Sequence, residues 1–236
     1  MARMPKSLSE MLPQAAVLSR LQGAAVAVCA LAAFPIQAAF QVSNLANSNA
    51  GSWAFTSATP DSYLANSFTT DGSDYVLTGA TLGLGNSGTS QTTFQASIWS
   101  DAGSSPDTLL LTFDNTPTLD GGETFQDVAF FSDDGFTLAA NSTYYLALHA
   151  IAGSLLSWGY TTDSSVQAPG GWGIGFSQSD TTMRSTNGGS SWSSIPASSL
   201  SAHRFGISTA VPVPNVMLPG LFGLGLTLLM RRRRRC

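Results

Sequence analysis

Apolar and polar residues alternate along most of this chain. Within Thr92–Ser100, Phe94, Ala96 and Ile98 fall on one side of an extended backbone. Within Thr143–Ile151, Tyr144, Leu146, Leu148 and Ala150 do the same, and Leu156, Trp158 and Tyr160 keep the period. Further strands are predicted over Ser62–Thr70, Asp74–Leu84, Thr108–Phe113, Glu123–Phe131, Gly173–Phe176 and Ala202–Ser208. No stretch of this region keeps the i, i+3, i+4 spacing of an amphipathic helix. Turn formers separate the runs: Asp71-Gly72, Asp101-Ala102-Gly103, Asp120-Gly121-Gly122, Asp134-Gly135, Pro169-Gly170-Gly171 and Asn187-Gly188-Gly189. Many short strands with glycine-rich turns predict an all-β fold, a single antiparallel β-sandwich of jelly-roll-like or Ig-like type over 39–210. Its expected core includes Phe68, Leu77, Leu82, Phe94, Ile98, Leu110, Phe113, Val128, Phe130, Leu146 and Leu148.

The pattern changes at both ends. Residues 1–20 carry Arg3, Lys6 and Arg20, and Leu21 to Phe34 is an uncharged apolar run of 14 that leads to Ala38 and Ala39. A basic n-region, a short h-region and small residues at a cleavage point describe a secretory signal over 1–38, with Met11 as an alternative start. At the other end, Val211 to Met230 is 20 residues without a charge, followed at once by Arg231, Arg232, Arg233, Arg234 and Arg235. That length suits a C-terminal transmembrane helix, and the arginines prefer the cytoplasmic side, so the body is expected outside.

This tail, over 211–236, resembles the PEP-CTERM type of sorting tail: a short proline motif, an apolar span rich in Gly and Leu, and a terminal arginine cluster. The motif is Val211, Pro212, Val213 and Pro214, with Val213 where that family has its central Glu. Val-Pro-Leu-Pro variants of the motif are closer to it. The resemblance implies an exosortase-like enzyme as processing partner, the inner membrane as a transient or permanent anchor, and delivery to the cell surface or exopolysaccharide matrix. A plain C-terminal anchor is the other reading of the same residues.

Charge narrows the body's chemistry. Between 39 and 210 there are two basic residues, Arg184 and Arg204, against thirteen acids, a formal charge of −11. Nucleic acid is therefore not an expected partner. With no Lys in this stretch, Schiff-base and P-loop phosphate chemistry drop out. Cys29 and Cys236 lie outside it, so disulfides, thiolate zinc sites and cysteine nucleophiles drop out too. No Gly-x-Ser-x-Gly or His-Glu-x-x-His motif occurs. The body is expected to be non-enzymatic. The rival reading is a glycan-active protein using Asp/Glu pairs with Glu123, the single glutamate of the body.

Four features carry candidate chemistry. His149 and His203 are the body's two imidazoles, each more simply read as a surface or strand-edge residue. Asp71 with Asp74, Asp114 with Asp120, or Asp133 with Asp134 could supply oxygen ligands to a structural calcium, although Asp beside Gly is mostly turn chemistry; no other cofactor is implied. Trp172, Trp158 and Tyr160, together with Trp53, could stack on a pyranose of an exopolysaccharide, Trp172 most of all because glycines flank it. The same rings are also natural core residues. Finally, Ser185-Thr-Asn-Gly-Gly-Ser-Ser-Trp192 resembles an Asp-box, a hairpin in which a small polar side chain closes the turn and the Trp packs beneath, with Asn187 in the Asp position.

A second resemblance covers most of 40–208. Asn66-Ser-Phe-Thr-Thr70, Tyr75-Val-Leu-Thr78 with Thr81-Leu82, Phe94 to Asp101, and Leu138 to Leu148 are similar to bacterial choice-of-anchor domains, the R type in particular. That resemblance implies a β-domain at the cell surface and carries over no functional residue.

Overall fold

The computed structural model describes residues 39–55, 61–152, 155–168, 170–176, 182–195 and 201–210. The expected signal at 1–38 and the expected tail at 211–236 lie outside them. Among the described residues there is no helix, and so none long and apolar enough to cross a membrane. In chain order the strands are β1 (Ala39–Ser43), β2 (Gly51–Phe55), β3 (Tyr63–Thr69), β4 (Tyr75–Asn86), β5 (Thr92–Asp101), β6 (Pro106–Thr112), β7 (Thr118–Leu119) and β8 (Glu123–Phe131). They continue with β9 (Thr137–Leu138), β10 (Thr143–Ala152), β11 (Leu156–Thr161), β12 (Gly173–Ile174), β13 (Thr182–Ser185), β14 (Ser193–Ser194), β15 (Ala202–His203) and β16 (Phe205–Ala210).

These strands make two antiparallel sheets. In the first, β4 is the axis: β16 pairs along one side of it and carries β1, while β8 and β9 pair along the other. Beyond the start of β16, β11 joins β4 through Trp158 opposite Leu84, and carries β2 and β15. The second sheet runs β14-β13-β3-β10-β5-β6, with β12 added on β3 and β7 on β5. Phe113 marks a crossing between them. Its N–H bonds Ala96 of β5, and the next N–H, of Asp114, bonds Phe131 of β8.

Alternation builds one core from both sheets. Leu146 stands opposite Asn66 and Ile98, and Leu148 opposite Leu64 and Ala96, so every second residue of β3, β5 and β10 points the same way. These side chains share a cluster with Leu77, Leu82, Leu84, Phe130, Phe205 and Ile207 of the first sheet. Each fully buried Leu, Ile or Phe contributes about 1.5–3 kcal/mol relative to an exposed one. Of the expected core, Phe68, Leu77, Leu82, Phe94, Ile98, Phe113, Val128, Phe130, Leu146 and Leu148 are all buried.

Leu110 is the exception. It is 38 % exposed, while Leu111 is 6 % exposed and lies in the core. Alternation accounts for it: Phe113 and Leu111 face the core, so Leu110 faces out, and a bulge then turns Leu109 outward as well. β6 sets Leu111 opposite the core residue Ile98, then slips so that Trp99 faces Leu109. One extra residue reverses the facing of everything beyond it.

Both ends of the domain emerge together, because Ala39 at the start of β1 pairs with Thr209 near the end of β16. At the other end of the same sheet, β8 has an outer edge shielded by a side chain. Asn115 donates to Ala129 O at 2.9 Å and accepts from Phe131 N at 2.9 Å, occupying groups that would otherwise invite a further strand.

Candidate functional site

Of the aromatics expected to stack on sugar, two belong to the core. Trp158 is wholly buried; its Nε1 donates to Arg204 O at 2.9 Å, and its ring stacks on His203 with centroids 4.3 Å apart. Trp172 is 5 % exposed, parallel to Phe68 at 6.3 Å and edge-on to Tyr75 at 5.1 Å. The flanking glycines leave it little local cover, as the sequence suggests, but a neighbouring strand supplies the cover instead. Neither indole offers an open face.

Tyr160 is different. It is half-buried and lies 6.1 Å from half-buried Trp53, with the rings inclined by 36°. Trp53 sits on β2, the outermost strand of this part of the sheet, directly opposite Trp158. Register partners point to the same side. Trp53 and Tyr160 therefore stand on the core-facing side of β2 and β11, at the margin where the core ends.

The outer face of the second sheet carries its own cluster: Ala65, Trp99, Tyr145, Ala147 and Met183, with Tyr63 and Trp192 packed against it. The hairpin joining β13 to β14 covers it. Asn187 Oδ1 accepts from Ser191 N at 3.0 Å and from the Ser185 hydroxyl at 2.9 Å, and Nδ2 donates to Ser191 Oγ at 2.8 Å. Gly189, at φ +84°, lies against the Trp99 ring so closely that a Cβ would overlap it. Trp192 meets Trp99 edge-on at 5.4 Å and Tyr63 at 6.0 Å. The Asp-box-like segment thus acts as a lid on an aromatic cluster.

Beside the lid lies a shallow groove of about 390 Å³. Its floor is two cross-strand pairs, Thr143 with Thr69 and Tyr145 with Ser67, and its walls are the Asp101–Ser104 turn and Gly173–Gly175. Ser104 adopts φ +146°, an uncommon conformation for a residue other than glycine, and its N–H bonds Asp101 Oδ1 at 2.9 Å. Sequence reasoning missed these hydroxyls. In so Ser/Thr-rich a chain their one distinguishing signal is position, on the outward half of the alternation in β3 and β10.

The two histidines are no catalytic pair. His203 is fully buried, neither ring nitrogen meets hydrogen-bond geometry, and burial pushes its pKa down to about 3 against a smaller opposing pull from the Gly159 backbone. His149 stacks on Tyr63 at 4.4 Å with Nδ1 unpartnered, and burial lowers its pKa to about 4. The strand-edge reading of His203 gives way to a core reading, because the ring lies on Trp158. Both imidazoles are neutral at pH 7, and neither is hydrogen-bonded to a nucleophile among the described residues.

Four of the six aspartates expected near calcium accept hydrogen bonds within the fold. Asp71 accepts from Tyr75 Oη and Ser73 N, Asp74 from Ala140 N, and Asp114 from Asp133 N, while Asp120 accepts from Gln91. Among the described residues no three acidic, His or Cys side chains are grouped so as to hold a metal ion. The Glu123 side chain lies outside the described residues. Arg204 is committed as well, to Leu45 O and, at 3.7 Å, to half-exposed Asp127. No protein family matches this sequence, and no curated protein is similar to it.

Proposed function

We propose that this chain is an exported, non-enzymatic protein of the cell surface or exopolysaccharide matrix. It passes out by the signal at 1–38, halts in the inner membrane at Val211–Met230, and is cut near Val211-Pro212-Val213-Pro214 by an exosortase-like enzyme. The observation that carries this reading is the uncharged run of 20 residues ended at once by five arginines. Such a run matches about 30 Å of hydrocarbon, and moving the arginines through it is costly enough to hold the C-terminus inside. Pro212 and Pro214 disfavour helix at the outer boundary, leaving an extended segment open to a protease. The pairing of Ala39 with Thr209 is compatible with this route, since the first and last strands of the body lie side by side. Within the two-sheet architecture we read a jelly-roll-like or Ig-like surface domain.

Replacing Pro212 and Pro214 with Ala tests the reading. Maturation should stop and the full-length form should accumulate in the membrane fraction. A mobility and location unchanged from wild type would identify a plain anchor.

A second reading, glycan binding by the body, is favoured by the Trp53–Tyr160 pair. These rings lie at the surface with no charged group required to hold them, which suits recognition better than catalysis.

A further inference from the structure

Trp53 and Tyr160 leave their polar atoms unused, whereas the other four indole N–H groups are buried or engaged. Trp158 spends its N–H on Arg204 O, and Trp99 spends its own on Ser97 Oγ at 2.9 Å. Those of Trp172 and Trp192 are buried without a partner among the described residues. Neither Trp53 Nε1 nor Tyr160 Oη has a hydrogen-bond partner among the described residues, and neither is a buried orphan. Two half-buried ring bodies therefore sit side by side with their polar atoms uncommitted among the described residues.

Tyr160 is anchored through its backbone and its ring. With the Asn49 amide assigned from its hydrogen-bond surroundings, its nitrogen donates to Gly51 O at 2.6 Å and Tyr160 O at 3.0 Å, and Ala50 N also donates to Tyr160 O at 2.8 Å. Gly51 lies directly under the Tyr160 ring, where a Cβ would come within 2.8 Å of the hydroxyl. The ring rests on bare backbone, and its orientation is set by that contact. Little conformational entropy then remains to be lost on binding.

Register places the pair along the sheet. Trp53 and Leu84 both stand opposite Trp158, and Leu84 is eight residues along β4 from Val76, the partner of Ala210. At the ordinary rise of a strand that is about 26 Å from the end where the domain's chain ends emerge.

We propose that Trp53 and Tyr160 form a stacking platform for an uncharged polysaccharide, facing away from the end at which the domain is tethered. The inference rests on the glycan-binding reading and names its ligand class and its residues. An aromatic face receives the C–H face of a hexopyranose, and the free Nε1–H and Oη–H reach the ring hydroxyls beside it. The body's charge of −11, with Arg204 already committed, opposes an acidic polymer and leaves a neutral one unopposed.

Affinity electrophoresis of the full mature protein tests this, in native gels cast with hydroxyethylcellulose, laminarin or dextran as neutral probes and alginate as the acidic one. At least one neutral polymer should retard the wild type and alginate should not. Trp53→Ala and Tyr160→Ala should each weaken the apparent affinity about tenfold or more, a loss of about 1.4 kcal/mol, whereas Trp53→Phe should retain part of it. A melting temperature near that of wild type certifies each variant, and Trp53→Phe serves if the alanine form does not fold. Absence of retardation by all three neutral polymers, equal retardation by alginate, or wild-type retardation of Trp53→Ala would each overturn the platform. A protein correctly cut at its tail but silent on every gel would sink the platform and leave the export reading standing.

Discussion

Asn66 in the second sheet accepts the backbone N–H of His203 in the first, Oδ1 to N, at 2.8 Å. Its amide nitrogen donates to Ser67 O and Gly175 O, and the His203 carbonyl is in turn held by Asn44 Nδ2 at 2.8 Å. A wholly buried asparagine thus ties the two sheets together through the backbone of one residue, and that fixes the imidazole above Trp158. Asn66→Ala should destabilise the fold by about 3 kcal/mol, because it strands a buried N–H and opens a small cavity. Urea unfolding measures it. A loss below roughly 1 kcal/mol would mean that the link carries little.

The buried imidazoles give the domain a defined acid sensitivity. His203 falls from an ordinary 6.5 to about 3 on folding, and His149 to about 4, both by burial. The unfolded chain therefore takes up protons that the native one refuses. Stability is complete above pH 6.5 and declines as pH falls towards the folded values, by up to about 1.4 kcal/mol per pH unit for each histidine. Thermal unfolding between pH 7 and pH 4 should show this slope, and His203→Phe should flatten much of it. A melting temperature level across that range would contradict the burial of both rings.

Alternation in β6 makes adjacent leucines unequal. Leu111→Ala should cost about 2–4 kcal/mol as a core truncation, while Leu110→Ala should stay within about 0.5 kcal/mol. The reverse order would contradict the facing of β6 against Ile98.

In the lid hairpin, the acceptor role of Asn187 predicts that Asp is tolerated and Ala is not. Asn187→Ala removes the acceptor shared by Ser191 N and Ser185 Oγ and should cost about 1–2 kcal/mol. It should also quicken amide exchange across 182–195. Asn187→Asp keeps both acceptances, so its exchange should match wild type. Equal exchange in all three forms would show that the turn is closed by something other than this side chain.

Much of the strand pattern was legible because alternation reports which side of a strand is dry. Phe94, Ile98, Leu146 and Leu148 are buried as their period-2 spacing demands, and Asn187 with Trp192 forms the hairpin its motif suggests. Leu110 was misread because three consecutive leucines, Leu109 to Leu111, fit either facing. Trp172 and Trp158 were ambiguous for a similar reason: whether an aromatic is covered depends on residues distant in sequence, here Phe68, Tyr75 and His203. The Asn66 link left no local trace. A polar residue in an apolar alternation reads as an interruption until the group it bonds, 137 positions away, is known.

The fate of the tail is the most direct test of export and processing. Intact-mass and peptide analysis of the protein recovered from envelope and medium should find chains that begin near Ala39 and end near Val211–Pro214, with the peptide from Pro219 to Met230 missing from most molecules. Recovery of that peptide, with Arg231 following it, on the majority of molecules would contradict processing and leave a permanently anchored protein.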